Sequence, residues 1–267
     1  MDDISGILLA STERLLRDLS QTHAILLSDE ELFASGWDQI EEMGLPLALI
    51  GEEQGGPGLD EAVAFELIRM CGRQIVPYPV VETMLANRFT AAEGGAVAGS
   101  PVTSLGQLTP AQQELAALAR AMQMAGALET ILAMTIAHVE NRRQFGRPIA
   151  QFQVVQHSLS IMAGEVAAAT VAADHAVRKL AEGGADLTLA VGIARARIGE
   201  ACSKVAALAH QLHGAIGYTR EHRLHLFTTA LWKWRDEFGT QASWTRFVGQ
   251  RVLANESGEF WSMVTLA

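Results

Sequence analysis

A cationic turn and a group of histidines are the parts of this sequence best equipped for chemistry. Asn141-Arg142-Arg143-Gln144-Phe145-Gly146-Arg147-Pro148-Ile149 places three guanidinium groups where one helix is expected to end and the next to begin. Such side chains can converge on an anion, and a pyrophosphate clamp is the sharpest form of that chemistry. The same residues near a helix C-terminus can instead merely complement its dipole, an effect of about 0.3–1 kcal/mol each. The turn alone does not separate the two. His210, His213, His222 and His225 form two i,i+3 pairs, each able to present one face to a metal. With no matching carboxylates or thiols, and a glycine turn between the pairs, no metal site is expected. Glu52 and Glu53 sit among glycines and read as a solvated loop pair. No P-loop, dinucleotide glycine fingerprint or nucleophile elbow is present.

The elements that position these residues read as helices almost throughout. Ile7, Leu8, Leu15, Leu16, Leu19, Ile25 and Leu26 recur at helical spacing, and Ser28-Asp29-Glu30-Glu31 reads as the cap and acidic first turn of a second helix ending near Gly44. Residues 46–58 combine a short apolar run with Gly and Pro, as expected of a buried segment leading into a loop. Asp60 then caps a helix to about Gly72, and Pro79 opens another reaching Ala91 and Ala92. Residues 94–110 lose helical periodicity and read as a linker that could reach about 55 Å when extended.

Thr109-Pro110 opens a long helix whose stripe of Leu115, Leu118, Met122, Ala125, Leu132, Ile136 and Val139 delivers the chain to the cationic turn. A helix from about Gln151 to Leu180 follows, then a reversal over residues 182–186, then a helix capped by Asp186 that runs to Leu212. Gly214 and Gly217 break it, and a last pair covers about Arg220 to Phe238 and Gln241 to Ala254. On the first of that pair Trp232 and Trp234 diverge by about 200°, so one of them faces away from the core. The expected fold is all-α: an N-terminal helical domain (1–93), a linker (94–110) and a C-terminal up-and-down four-helix bundle (111–267).

Composition agrees. The 267 residues are 49% hydrophobic but only 6% aromatic, rich in Ala and Leu, and long enough for a full core. A net charge of -10 opposes attraction to nucleic acid or anionic membranes. Cys71 and Cys202 fall inside apolar helical patterns and read as small buried hydrophobes. No secretory signal pattern and no uninterrupted apolar run of about 18 residues is evident, so a cytoplasmic protein is expected.

Two stretches resemble the C-terminal domain of the acyl-CoA dehydrogenase family of flavoenzymes: Arg142 to Gln156 (RRQFGRPIAQFQVVQ) and Gln211 to His225 (QLHGAIGYTREHRLH). Met43 to Leu59 (MGLPLALIGEEQGGPGL) and the helix after it look like the family's N-terminal helical domain. The family normally inserts a β-barrel domain of roughly a hundred residues where this chain has only the linker.

The resemblance implies an FAD site shared between subunits. On it, Arg142, Gln144, Phe145, Gln211, Ala215 and Thr240 reach the cofactor, with Ala215 standing where a second glycine is usual. It also implies α-proton removal by a glutamate while the β hydride passes to flavin. Both family positions for that base are empty here, occupied by Phe238 and by Ala116, 26 residues before Arg142. Glu237 and Glu114 lie near them as displaced candidates. The expectation is a subunit donating the adenine and pyrophosphate half of a flavin site to a longer dehydrogenase partner, in a heterodimer or an α2β2 heterotetramer. That partner carries the base, and the substrate is an acyl-CoA of steroid or other bulky type. A helical scaffold or homo-oligomer that has lost flavin is the alternative. Neither nucleic acid nor membrane is an expected partner.

Overall fold

The computed structural model describes residues 3–21, 29–183 and 186–254. The N-terminal half comprises α1 (Asp3–Gln21), α2 (Glu30–Glu42), α3 (Glu61–Gln74) and α4 (Val80–Ala92). After an extended stretch come α5 (Pro110–Asn141), the two-residue strands β1 (Arg143–Gln144) and β2 (Arg147–Pro148), α6 (Gln153–Glu182) and α7 (Leu187–His213). Two shorter helices, α8 (Leu224–Asp236) and α9 (Gln241–Ala254), complete the described chain. The antiparallel α5, α6 and α7 pack on one another, α8 packs on α5 and α7, and α9 on α7. This is the expected all-α architecture, with no β domain among the described residues.

Several boundaries follow local chemistry. Asp29 caps α2, its Oδ1 accepting the Glu31 and Leu32 amides at 3.1 Å each; Ser28 and the expected end of the first helix lie outside the described residues. Asp60 and Asp186 stand at N-cap positions but make no side-chain cap bond. Thr109 and Gln112 form a reciprocal capping box at the start of α5, with Pro110 just inside. The stretch after α4 is not a free tether. Asn87 holds both backbone groups of Ala98, Thr83 Oγ1 accepts the Val102 amide, and Trp37 Nε1 donates to Gly99 O at 3.0 Å.

A helix as central as α5 must be apolar all round, since it has neighbours on every side. Although no uninterrupted apolar run of that length occurs, an 18-residue window of it is apolar enough on average for a membrane, with a mean hydropathy of 1.2. However, 78% of that window is buried inside the protein. Cys71 and Cys202 are buried free thiols, and burial pushes both up to about 12. Trp234 is buried and Trp232 faces out, as their spacing required.

The N-terminal half is locked onto the bundle where α3 crosses α5. A Cβ on Gly72 would stand 1.8 Å from Gln123 O, and one on Gly126 would stand 2.1 Å from Arg69 O. Backbone therefore meets backbone at this crossing. Around it Arg69, itself buried, faces Glu66, Glu129 and Asp174, while Arg73 bridges Glu66 and Glu129 at 2.7 Å each. Gly126→Ala is expected to destabilise the protein by about 1–3 kcal/mol, because the obstructing atom is a main-chain carbonyl and cannot swing away. A lower urea midpoint at unchanged slope is the readout; a midpoint at or above wild type, as helix propensity alone would give, contradicts so close a crossing.

Candidate functional site

The cationic turn folds into a hairpin projecting from the end of α5. Arg142 leaves the helix with its amide still donating to His138 O at 2.8 Å, and its carbonyl accepts the Ile149 amide at 2.8 Å, closing the loop at its base. Arg143 then pairs with Pro148 and Gln144 with Arg147. The two residues between, Phe145 and Gly146, both have positive φ, 53° and 80°. That is the pattern of a type I′ turn, whose twist suits an antiparallel pair. Glycine adopts it freely, but for Phe145 it costs about 1–2 kcal/mol. The strained ring is also 90% exposed. Strain at a non-glycine residue persists only where its surroundings over-determine it, here the hairpin closed at its base.

Behind the hairpin lies a cavity of about 380 Å³ lined by Gln144, Phe145, Phe152, Val155, Gln211 and Leu212, among others. The structure therefore brings together Gln144 and Phe145 from the hairpin and Gln211 from the last turn of α7. Phe145 meets Phe152 edge-on at 6.0 Å, and the Arg147 guanidinium lies 4.2 Å over the Phe152 ring. Ala215 follows Gly214, whose φ of 64° with ψ of -143° is reserved for glycine. Ala215 itself is exposed and is not among the residues with positive φ, so its methyl adds no backbone strain.

The other candidates lie apart. Arg142 lines a second cavity of about 480 Å³ with Met134, Ala137, His138, Asn141 and His222. Arg142 and Arg147 thus serve different surroundings rather than one common point. Thr240 sits at the start of α9, its Oγ1 accepting the Ser243 amide at 3.1 Å, which is a capping role.

At the two expected base positions Ala116 is fully buried, and Phe238 adopts φ 55° with its ring 5.5 Å from the Arg120 guanidinium. Glu237 places Oε2 2.7 Å from Arg120 Nη2, so its carboxylate balances a buried cation that also meets Glu82 at 2.8 Å. Glu114 differs. Its Oε1, like Oε2 of Glu237, is buried without a hydrogen bond, but Glu114 has no ion pair among the described residues, and it lines a third cavity of about 460 Å³ with Gly239 and Trp244.

Sequence spacing suggested the pairs His210/His213 and His222/His225. The fold instead gathers His138, His213 and His222. His138 and His213 stack at 4.4 Å, and His222 meets His213 at 4.6 Å. His210 stacks on Tyr218 and bonds Thr228, while His225 Nδ1 bonds His222 O. Burial holds His138, His210, His213 and His222 below the usual histidine range, with like-charge neighbours adding to the effect for all but His210. His138 was missed from sequence. Its signal was its place one turn before Arg142, on the face of α5 that reaches the hairpin.

Against known proteins, residues 111–253 match the acyl-CoA dehydrogenase C-terminal domain family. The chain is 28% identical to acyl-CoA dehydrogenase IpdE2 of Mycobacterium tuberculosis, with 76% of this chain and 82% of that protein covered. Its fold is similar to that in the ChsE4-ChsE5 complex of M. tuberculosis, with a TM-score of 0.79, 17% identity, and 96% of this chain and 99% of that one covered. It is similar too to a variant of the Tcur3481-Tcur3483 steroid ACAD, with a TM-score of 0.78, 18% identity, and 93% and 98% covered.

Proposed function

Because this chain belongs to the acyl-CoA dehydrogenase family, we propose that it is the short subunit of a heteromeric, FAD-dependent enzyme that desaturates an acyl-CoA at its α,β bond. In this reading it lends one half of a flavin site to a longer partner that carries the catalytic base. The observation that carries the proposal is Phe145, strained and 90% exposed beside the Gln144 and Gln211 amides. Apolar walls with two amides at the edge suit a flat heteroaromatic such as adenine, because each amide can both donate to and accept from its rim. Phe145 offers a face for stacking, and Arg142 supplies positive charge for the pyrophosphate. Thr240 and Ala215 are the outer contacts of the same reading.

Bound flavin would accept a hydride from the acyl β carbon. What this chain contributes is position and charge: the aromatic and amide walls orient the nucleotide end, and Arg142 neutralises it. In this reading the partner supplies the ring cradle and the base, which fits β1 and β2 being the only strands among the described residues and the apolar Ala116 and Phe238 at the two expected base positions. The assembly expected is a heterodimer or α2β2 heterotetramer, and a steroid or other bulky acyl-CoA is the substrate class. Support for both comes from the likeness to one chain of a named two-protein complex and to a steroid ACAD.

Expression of the chain alone and together with a full-length dehydrogenase encoded beside it tests the proposal. Flavin absorbance and acyl-CoA oxidation confined to the co-purified complex are expected. Stoichiometric flavin and turnover from this chain alone refute it, and a colourless chain that joins no dehydrogenase points to a scaffold. The buried, unpartnered Glu114 Oε1 favours a second reading, a self-sufficient enzyme with a displaced base. Loss of that lone-chain turnover in Glu114→Gln would identify it.

Phe145→Asn separates stability from function. Asparagine tolerates the left-handed turn, so the hairpin should gain about 1 kcal/mol and Tm should rise. Flavin retention in the complex should weaken by about 1–3 kcal/mol, the usual worth of an aromatic stack on a base. A variant that keeps wild-type flavin affinity shows that Phe145 does not stack on the nucleotide.

A further inference from the structure

His138, His213 and His222 come from three different elements: the last turns of α5 and α7, and the turn leading into α8. Each offers a ring nitrogen, and the three nitrogens lie within 4.8 Å of one another. We propose that these imidazoles bind one first-row divalent transition ion of the zinc class, with an open coordination position facing the cavity in front of them.

His213 is built for such a role. Its Nδ1 bonds the Ala209 carbonyl at 2.8 Å, and a carbonyl can only accept, so Nδ1 carries the proton and Nε2 presents its lone pair. A backbone carbonyl that fixes the tautomer in this way is the usual support of a metal-binding histidine. Nε2 is buried in a residue only 5% exposed, and no hydrogen bond satisfies it. A buried acceptor without a donor is a standing cost, and an ion between the three rings would remove it. His138 stacks directly on His213, and His222 meets it at 62°. Small side-chain rotations would bring the three nitrogens, now no more than 4.8 Å apart, to the roughly 3.3 Å expected around an ion with 2.0–2.1 Å bonds.

His222 is the weakest of the three ligands. The Leu224 amide donates to its Nδ1 at 3.2 Å, and coordination through either nitrogen gives up that long bond. Chemistry selects the ion. No carboxylate lines the adjoining 480 Å³ cavity, so calcium and magnesium, which demand oxygen ligands, are excluded. Imidazole suits zinc, cobalt, nickel and copper. Arg142 on the rim opposes any cation, so the ion must be held by the imidazole nitrogens themselves, which bind it in their neutral form.

The test needs neither flavin nor partner, so its failure leaves the flavin proposal standing and the reverse is equally true. The untagged full chain, stripped with EDTA and dialysed, is titrated with Co²⁺ and then challenged with Zn²⁺. One equivalent of Co²⁺ with visible absorption bands, displaced by Zn²⁺, is expected. His138→Gln and His222→Gln should each weaken binding at least about tenfold, and both side chains are half-buried, so helical circular dichroism should be retained. X-ray absorption of the zinc-loaded chain gives an independent reading: imidazole nitrogens at about 2.0–2.1 Å support the site. No saturable uptake of either ion, uptake unchanged in both variants, or a zinc shell lacking imidazole overturns it.

Discussion

Arg195→Met is expected to destabilise the protein by about 3–5 kcal/mol, the loss typical of removing one side of a buried charged network. Arg195 is 2% exposed, and although Glu237 and Asp236 lie near enough to favour its charge, its hydrogen bonds go elsewhere. Its Nη2 instead reaches four main-chain oxygens, those of Trp234, Arg235, Glu237 and Gly239, at 2.7–3.3 Å. These are the carbonyls left over where α8 ends, which would otherwise be buried without donors. Burial, helped by Arg120, pushes the guanidinium down to about 10, so it is still charged at neutral pH. The same arginine therefore holds Glu237 to Gly239 in their strained path, with Phe238 at φ 55° and Gly239 at φ 104°. Methionine keeps much of the volume but supplies no donor. Arg195→Lys should recover part of the loss, because all four carbonyls are met by the one nitrogen Nη2 and an ammonium also gathers its donors on one nitrogen, though on a shorter reach. Urea unfolding measures both, and a loss under about 1 kcal/mol for the methionine variant would show that water satisfies these carbonyls instead.

Arg142→Ala, made in the partner complex, is expected to weaken flavin retention by about 1.5–3 kcal/mol, roughly 10- to 150-fold. The range is that of a hydrogen bond from a charged donor. Arg142 is exposed and makes no ion pair with any described carboxylate. Its backbone closes the base of the hairpin, but alanine keeps both of those main-chain bonds. Stability should therefore change little while affinity falls. Flavin fluorescence released on dilution reads the affinity and thermal unfolding reads the fold. Equal flavin affinity in the variant would remove Arg142 from the site and leave it as a cation near a helix end, the weaker meaning its position always allowed.

Much of the helical layout was legible from local chemistry. Thr109, Pro110 and Gln112 write a helix start into four residues, and Phe145-Gly146 sits where the chain must reverse. Apolar stripes at spacings of three and four indicated which faces turn inward, and the spacing of Trp232 and Trp234 required one of them to face out, though not which. That Asp29 is the cap of α2 is decided by which oxygen reaches the next amides, a matter of one residue that periodicity does not resolve.

The candidate site divides along the same line. Arg142, Gln144, Phe145 and Gln211 could be named in advance because they lie in short segments whose backbone form is locally determined. Their strain and exposure could not, since φ at Phe145 depends on the hairpin closing against Ile149. The hidden use of Arg120, Arg195 and Glu237 was also illegible: a lone charge in an apolar helix says nothing of its partner across the core.

Sequence by itself thus determined the helices, the reversal between α5 and α6, and the kinship carried by its two motifs, because each depends on residues a few positions apart. Tertiary structure alone decided that Gly72 and Gly126 bring α3 against α5, that Glu237 balances Arg120, and that His138 joins His213 and His222. Those pairings join residues 51 or more positions apart, and only the packing of a shared core brings such distant side chains within a few ångströms.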